Sequence, residues 1–276
     1  MTPAEHAQLA LLLEVAGTPK PGNVDRHRDL DGLRFEHFLA GGVGAGKGLR
    51  LAESGAPVGE AFETAVAGMS QQRGGNTQFG CLLLLVPLVK ADSEGELSPA
   101  GVESVVESTT VADAAGFYRA FEHVDVAVDD PPADAPDLDV RRGADAVPTL
   151  ESRGLTLADV MALSADRDTN AREWTEGFPR TFEAAESILA DGGPILDRAA
   201  RAFLGLLAGE PDTLVAIQHG EEVARDVSER AAEVGDDLDA AAELAESFVA
   251  EGINPGTTAD QTASALYVAL RRGVPV

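Results

Sequence analysis

The sequence predicts an all-α protein, and three observations lead there. Apolar residues recur at helical spacing along most of the 276 positions, and strands nowhere alternate with helices. Aromatic residues make up only 5% of the chain, while Ala, Leu and Val carry most of a 44% hydrophobic content. That mix favours helices over a β-sandwich and is enough for a sizeable core.

Taken in order, residues 4–17 (AEHAQLALLLEVAG) read as a helix ending at Gly17, just before a pair of prolines. Residues 33–54 have helical ends around a glycine-rich middle, and 58–72 continue the pattern. Residues 77–91 (TQFGCLLLLVPLVKA) are apolar all round, which predicts a central, buried helix. Residues 101–124 read as one or two helices, and VDVAV (124–128) is the only stretch suited to a short strand. Residues 129–149 (DDPPADAPDLDVRRGADAVPT) are rich in Asp and Pro and predict one long loop. Further helices are expected near 156–163, 179–190, 194–208, 219–234, 237–251 and 257–272. The motifs lie on both sides of the loop, so the expectation is a single multi-helix domain over 1–276 with loop 129–149 internal to it.

The charge balance narrows the partners. There are 47 acidic against 21 basic residues, a net charge of -26, and only three lysines, Lys20, Lys47 and Lys90. The acidic residues are spread along the chain, which speaks against a disordered acidic tail. A surface kept soluble in high salt, where repulsion between carboxylates is screened, predicts a halophilic cytoplasmic protein. Such a surface repels nucleic acid and anionic membranes. The one cysteine, Cys81, sits inside an apolar run and reads as a small hydrophobe. No basic leader opens the chain, and the longest apolar run of about 11 residues falls short of the roughly 20 a bilayer needs.

Against that background, TPKPGNVDRHRDL (18–30) keeps its cations. Two prolines stiffen it, and rigid irregular loops position side chains well. Lys20, Arg26 and Arg28 are candidates to hold phosphate oxygens, Asp25 and Asp29 to hold Mg²⁺, and His27 to move a proton. In RGGNTQFG (73–80), Asn76 or Thr77 can cap a helix whose first N–H groups would suit an anion. In GINPGTTADQTASALYVAL (252–270), Thr257 or Thr258 caps a last helix with Asp260 in its first turn. Two weaker segments carry Glu173 and Glu176 beside the only Trp, and Asp212, Thr213 and His219. GGVGAGKG (41–48) has the spacing of a phosphate-binding P-loop up to its lysine, but Gly48 replaces the Ser or Thr that would hold Mg²⁺. Its helical flank also speaks for close helix packing instead.

Together, TPKPGNVDR followed by HRDL, GGNTQFG, EWTEGFP, PDTLVAIQHG and NPGTTAD resemble the triphosphoribosyl-dephospho-CoA synthase family, in a halophilic, archaeal-like form. The segments keep the family's order from about residue 14 to 270. Two departures stand out. Gln78 and Phe79 follow Thr77 where the family pattern has His-Lys, and His27 follows Arg26 directly because a spacer is shortened.

The resemblance implies an ATP-dependent transferase. The 2′-hydroxyl of 3′-dephospho-CoA attacks C1′ of the ATP ribose and adenine leaves. It implies Asp25, His27 or Glu173 in acid/base work, Lys20, Arg26 and Arg28 on phosphates, and Mg²⁺ on Asp25 or Asp29. Asn76, Thr77, Gln78, Asp212, His219, Asn254, Gly256, Thr257, Thr258 and Asp260 would contact substrate. Three other readings stay open at this point: the same fold with another acceptor, an Mg²⁺-dependent nucleotide or ADP-ribosyl hydrolase, and a non-catalytic nucleotide-binding protein. The sequence also leaves room for a homo-oligomer.

Overall fold

The computed structural model describes residues 1–131 and 135–276, and most of them are helical. Helix α1 (Pro3–Ala16) starts at Thr2, whose hydroxyl accepts from the Glu5 N–H while the Glu5 carboxylate accepts from the Thr2 N–H. Helices α2 (Phe35–Gly44) and α3 (Gly46–Glu53) are separated only at Ala45. They lie against α4 (Val58–Met69), and the glycine-rich stretch is what lets them approach. A Cβ on Gly44 would stand 2.2 Å from the Gly68 carbonyl oxygen. The P-loop spacing therefore serves helix packing, and Lys47 is exposed on α3.

Helix α5 (Phe79–Ser93) is the buried centre that its apolar sequence predicts, with every residue from Cys81 to Val89 buried. Pro87 stands in its middle. Proline has no N–H, so the carbonyl four residues back, on Leu83, loses its helical donor. Trp174 Nε1 donates to that oxygen at 3.2 Å.

The 101–124 stretch resolves into α6 (Pro99–Glu107) and α7 (Val111–Ala120), split where Thr110 and Asp113 form a reciprocal cap. Residues 124–128 form no strand; the described residues hold only isolated bridges at Asp25–Arg28 and Leu30–Leu33. Within the described residues, the expected loop 129–149 holds more regular structure than its composition suggests; 132–134 lie outside the described residues. It contains 3₁₀ turns at Pro136–Leu138 and Val140–Ala146 and runs into α8 (Val147–Arg153). The physical reason is local. Pro136 and Pro148 sit in first turns, where a missing N–H costs nothing, and Asp139 accepts from the Arg141 N–H.

Beyond it come α9 (Leu157–Ala162), α10 (Thr169–Glu176), α11 (Pro179–Ala190) and α12 (Ile195–Gly209). They are followed by α13 (Thr213–His219), α14 (Glu221–Val234), α15 (Leu238–Glu251) and α16 (Gly256–Arg271). The helix expected over 219–234 is preceded by a separate short one, because Gly220 breaks the chain between α13 and α14.

One hydrophobic cluster runs from α1 through α5 to α16, and a second joins α12, α14 and α15. Among the described residues no helix is long and apolar enough to cross a membrane. The all-α expectation matches the structure, and it places the starts of α5, α10, α13 and α16 around one opening.

Candidate active site

That opening is a cavity of about 330 Å³. Segments far apart in sequence supply its walls: Asn23 from the first loop, Asn76 and Thr77 before α5, and Asp168 and Asn170 at the start of α10. Thr213 on α13, and Asn254, Gly256, Thr257 and Asp260 at the start of α16, complete the polar side. The loop and α16 are joined directly, since Asn23 Nδ2 donates to Asn254 Oδ1 at 3.1 Å.

Asp212 holds two of these helix starts in register. One of its oxygens accepts from the N–H groups of Leu214 and Val215, capping α13. The other accepts from the N–H and hydroxyl of Thr258 in the first turn of α16, at 2.7 and 2.8 Å. Asp212 and Thr258 are buried behind the cavity wall, whereas the neighbouring Thr213 and Thr257 face it, hydroxyl to hydroxyl at 3.0 Å.

Asp260 lines the same wall. The Cys81 thiol donates to its Oδ1 at 3.1 Å, and Asn170 Nδ2 donates to its Oδ2 at 2.9 Å. Burial among protein atoms is the largest influence on this carboxyl and pushes its pKa up to about 7, against the two hydrogen bonds that favour its charged form. Gly80 makes the approach possible: a Cβ there would lie 1.9 Å from Asp260 Oδ2. Asn170 Oδ1 is buried and has no partner among the described residues. An unpaired buried acceptor on a cavity wall is a place for a ligand hydrogen-bond donor. Asp168 caps α10 with one oxygen, accepting from the Asn170 N–H at 2.8 Å, and burial raises its pKa too. Its second oxygen accepts no hydrogen bond among the described residues. Perturbed carboxyls gathered in one concave site are what acid/base chemistry requires.

Other residues singled out in the sequence stand elsewhere. Lys20 is wholly buried; its ammonium pairs with Glu14 and donates to Asn23 Oδ1 at 3.1 Å. The expectation that Lys20 holds a phosphate thus meets an ammonium already neutralised inside the protein. Asp25 organises its own loop: its carboxylate accepts from the Thr18 hydroxyl, the N–H groups of Lys20 and His27, and the Arg28 guanidinium. Asp29 accepts from the Phe35 N–H at 2.8 Å. Both carboxylates expected to hold Mg²⁺ are therefore committed to hydrogen bonds near their own loop.

Arg28 also pairs with Glu246, and Arg26 and His27 are exposed outside the cavity. Glu173, expected as a catalytic acid, instead accepts from the N–H groups of Arg180 and Thr181 at the start of α11. His219 contacts the Gly252 carbonyl at 3.2 Å on the surface. Gln78 is buried with neither end of its amide partnered among the described residues. Phe79 joins an aromatic cluster with Phe62 and Phe121, at centroid separations of 5.0 and 4.7 Å, and lines the cavity with an apolar face.

No Lys or Arg lines this cavity among the described residues, and no group of three or more His, Cys, Asp or Glu is arranged to hold a metal. Sequence reasoning missed Glu14, Cys81, Asp168 and Asn170, all of which line it. The one available signal was DTN at 168–170, a cap motif directly before a motif already singled out.

The model of a family described as CitG, ATP:dephospho-CoA triphosphoribosyl transferase, matches residues 1–274. Among solved structures, the chain is similar to one from Archaeoglobus fulgidus provisionally assigned as a triphosphoribosyl-dephospho-CoA synthase. The identity is 25% and the TM-score 0.70, covering 85% of this chain and 99% of that one. No curated protein matches the chain at a significant level.

Proposed function

The chain belongs to the ATP:dephospho-CoA triphosphoribosyl transferase family and is a transferase that moves the triphosphoribosyl group of ATP to 3′-dephospho-CoA; we propose that it does so in the cavity at the starts of α5, α10 and α16, with Asp260 as the base. In this reaction the acceptor 2′-oxygen bonds to C1′ of the ATP ribose, the bond from C1′ to adenine breaks, the hydroxyl proton goes to a base, and adenine takes the bond's electron pair and picks up a proton as it leaves. The observation that carries the assignment is Asp260 itself. It sits on the wall of the cavity where the motifs meet, held by Cys81 and Asn170, with a pKa of about 7. A base with a pKa near the working pH is the most effective one.

The remaining groups take supporting roles. Positive charge develops on the ribose as adenine departs, and the carboxylates of Asp168 and Asp260 on the cavity wall would offset it. Asn170 Oδ1, unpaired inside the protein, is placed to accept from a ribose hydroxyl. With no cation on the wall, the triphosphate is held by the positive ends of α5 and α16 and by the hydroxyls of Thr77, Thr213 and Thr257. Mg²⁺ needs only one or two protein carboxylates beside phosphate oxygens. Asp168, with a free oxygen on the cavity, and Asp125 at its rim suit that donor set. Mg²⁺ arriving with ATP would neutralise phosphate charge there. Arg26, exposed on the 18–30 loop that carries the cavity-lining Asn23, steers the incoming nucleotide against an otherwise repelling surface. That surface suits a protein working in concentrated salt and in the cytoplasm, where ATP is found.

The test is to incubate the protein with ATP, Mg²⁺ and 3′-dephospho-CoA in high salt and to follow free adenine by chromatography. Adenine should appear only with acceptor, in equal amount to the coupled product, and Asp260→Asn should abolish it. Adenine formed equally without acceptor would replace transfer by hydrolysis, and full activity of Asp260→Asn would remove Asp260 from the chemistry.

A further inference from the structure

A second, smaller cavity of about 120 Å³ adjoins the first and shares the side chains of Leu83, Phe117, Asp168 and Ile217 with it. Its character is different. Leu138, Val140, Val160, Met161 and Leu163 line it, together with the ring of Tyr118. The Tyr118 hydroxyl is already donated to the Leu138 carbonyl at 2.7 Å and offers nothing to the polar edge of a base. We propose that this recess holds the uncharged pantetheine arm of the dephospho-CoA acceptor, an assignment that rests on the transferase reading above.

Three observations select that occupant. The recess is small against the 300–1,000 Å³ of ordinary ligand sites, so it takes part of a ligand whose remainder lies in the larger cavity. Dephospho-CoA divides in the same way: a nucleotide end that carries the reacting hydroxyl, and a long arm of methyl, methylene and amide groups with no charge.

Charge at the mouth then rules against the triphosphate. Asp129 and Asp130 stand there, and Arg167 is spent on them, donating to Asp129 Oδ2 at 2.9 Å and to the Asp130 carbonyl at 2.8 Å. A polyanion entering at this point would meet carboxylates whose nearest cation is already paired and, unlike in the larger cavity, no start of α5 or α16 to offset them, whereas an uncharged arm meets no such barrier.

Finally, Leu163 and Ile217 are each 40% exposed at the recess. The other large apolar side chains exposed among the described residues are Met1, Val43 and Val276. Two exposed aliphatics on the wall of one recess, in an otherwise acidic protein, are the contact that an apolar arm would cover.

Leu163 lines the recess alone and does not touch the larger cavity. Calorimetry in high salt should therefore show Leu163→Glu binding 3′-dephospho-CoA about tenfold more weakly, the equivalent of about 1.4 kcal/mol, while ATP–Mg²⁺ binding stays unchanged. Leu163→Met should bind both as the wild type does. Unchanged dephospho-CoA affinity in Leu163→Glu, an equal loss for ATP, or no binding of dephospho-CoA to the wild type would each overturn the assignment. The readout is binding, so a failure to release adenine would sink the reaction mechanism and leave this result standing.

Discussion

The thiol of Cys81 donates to Asp260 Oδ1 at 3.1 Å, and so the only cysteine of the chain is the hydrogen-bond partner of the carboxylate at the centre of the cavity. The thiol favours the charged form of Asp260 against the burial that disfavours it. In its proposed role as base, Asp260 must be deprotonated, so kcat/KM should rise with pH through about 7 and level off above it. Cys81→Ala removes a donor to the anion and should move this limb to higher pH. Cys81→Ser keeps a donor and should restore it. A limb that stays in place in Cys81→Ala would uncouple the two residues.

Gly80 offers a steric test of the same centre. In Gly80→Ala the new methyl would meet Asp260 Oδ2 at 1.9 Å and Asn170 Nδ2 at 2.9 Å. One of the two must move, and displacement of a reacting group by about 1 Å costs on the order of 10²-fold. Steady-state kinetics should show that loss in kcat, with the helical circular dichroism spectrum unchanged.

Lys20 and Glu14 form a buried ion pair. Removing one partner leaves a buried charge without compensation, which costs about 3–5 kcal/mol. Urea denaturation of Lys20→Met should show a loss of that size, and Glu14→Gln/Lys20→Met should recover much of it. A Lys20→Met protein of full stability that no longer bound ATP–Mg²⁺ would return Lys20 to the phosphate role suggested by its sequence.

Trp174 supplies the hydrogen bond that Pro87 cannot. Trp174→Phe keeps the ring and leaves the Leu83 carbonyl unpaired in the core, which should cost roughly 1–3 kcal/mol in denaturant melts. Adding Pro87→Ala should reverse part of the loss, since that substitution restores a backbone N–H in the middle of α5 for the Leu83 carbonyl.

Where the sequence spoke through spacing, it was legible. The apolar run of α5 predicted a central helix, and the Asn-Thr and Pro-Gly-Thr-Thr motifs predicted helix starts that do line the cavity. It was much less legible wherever the role of a residue depends on a distant partner. Lys20 looked like a free cation because Glu14, one turn from the end of α1, is an ordinary helical glutamate until the loop folds back on it. Cys81 looked like a small hydrophobe because Asp260 lies 179 positions away. Glu173 looked like an acid because nothing local shows that the next helix will place two N–H groups on its carboxylate. Asp168 was hidden for the opposite reason: its local role as a cap explains it fully, and only the cavity shows that one oxygen is left over.

The bond between Asn23 and Asn254 has a bearing on how the protein is made. Its partners are 231 positions apart, and the cavity needs side chains from Glu14 to Asp260. Synthesis runs from the N-terminus, and contacts of such long range form late in folding. A nascent chain that still holds α16 in the ribosome lacks one wall of the cavity. The cavity is therefore complete only once α16 has left the ribosome and packed against the rest.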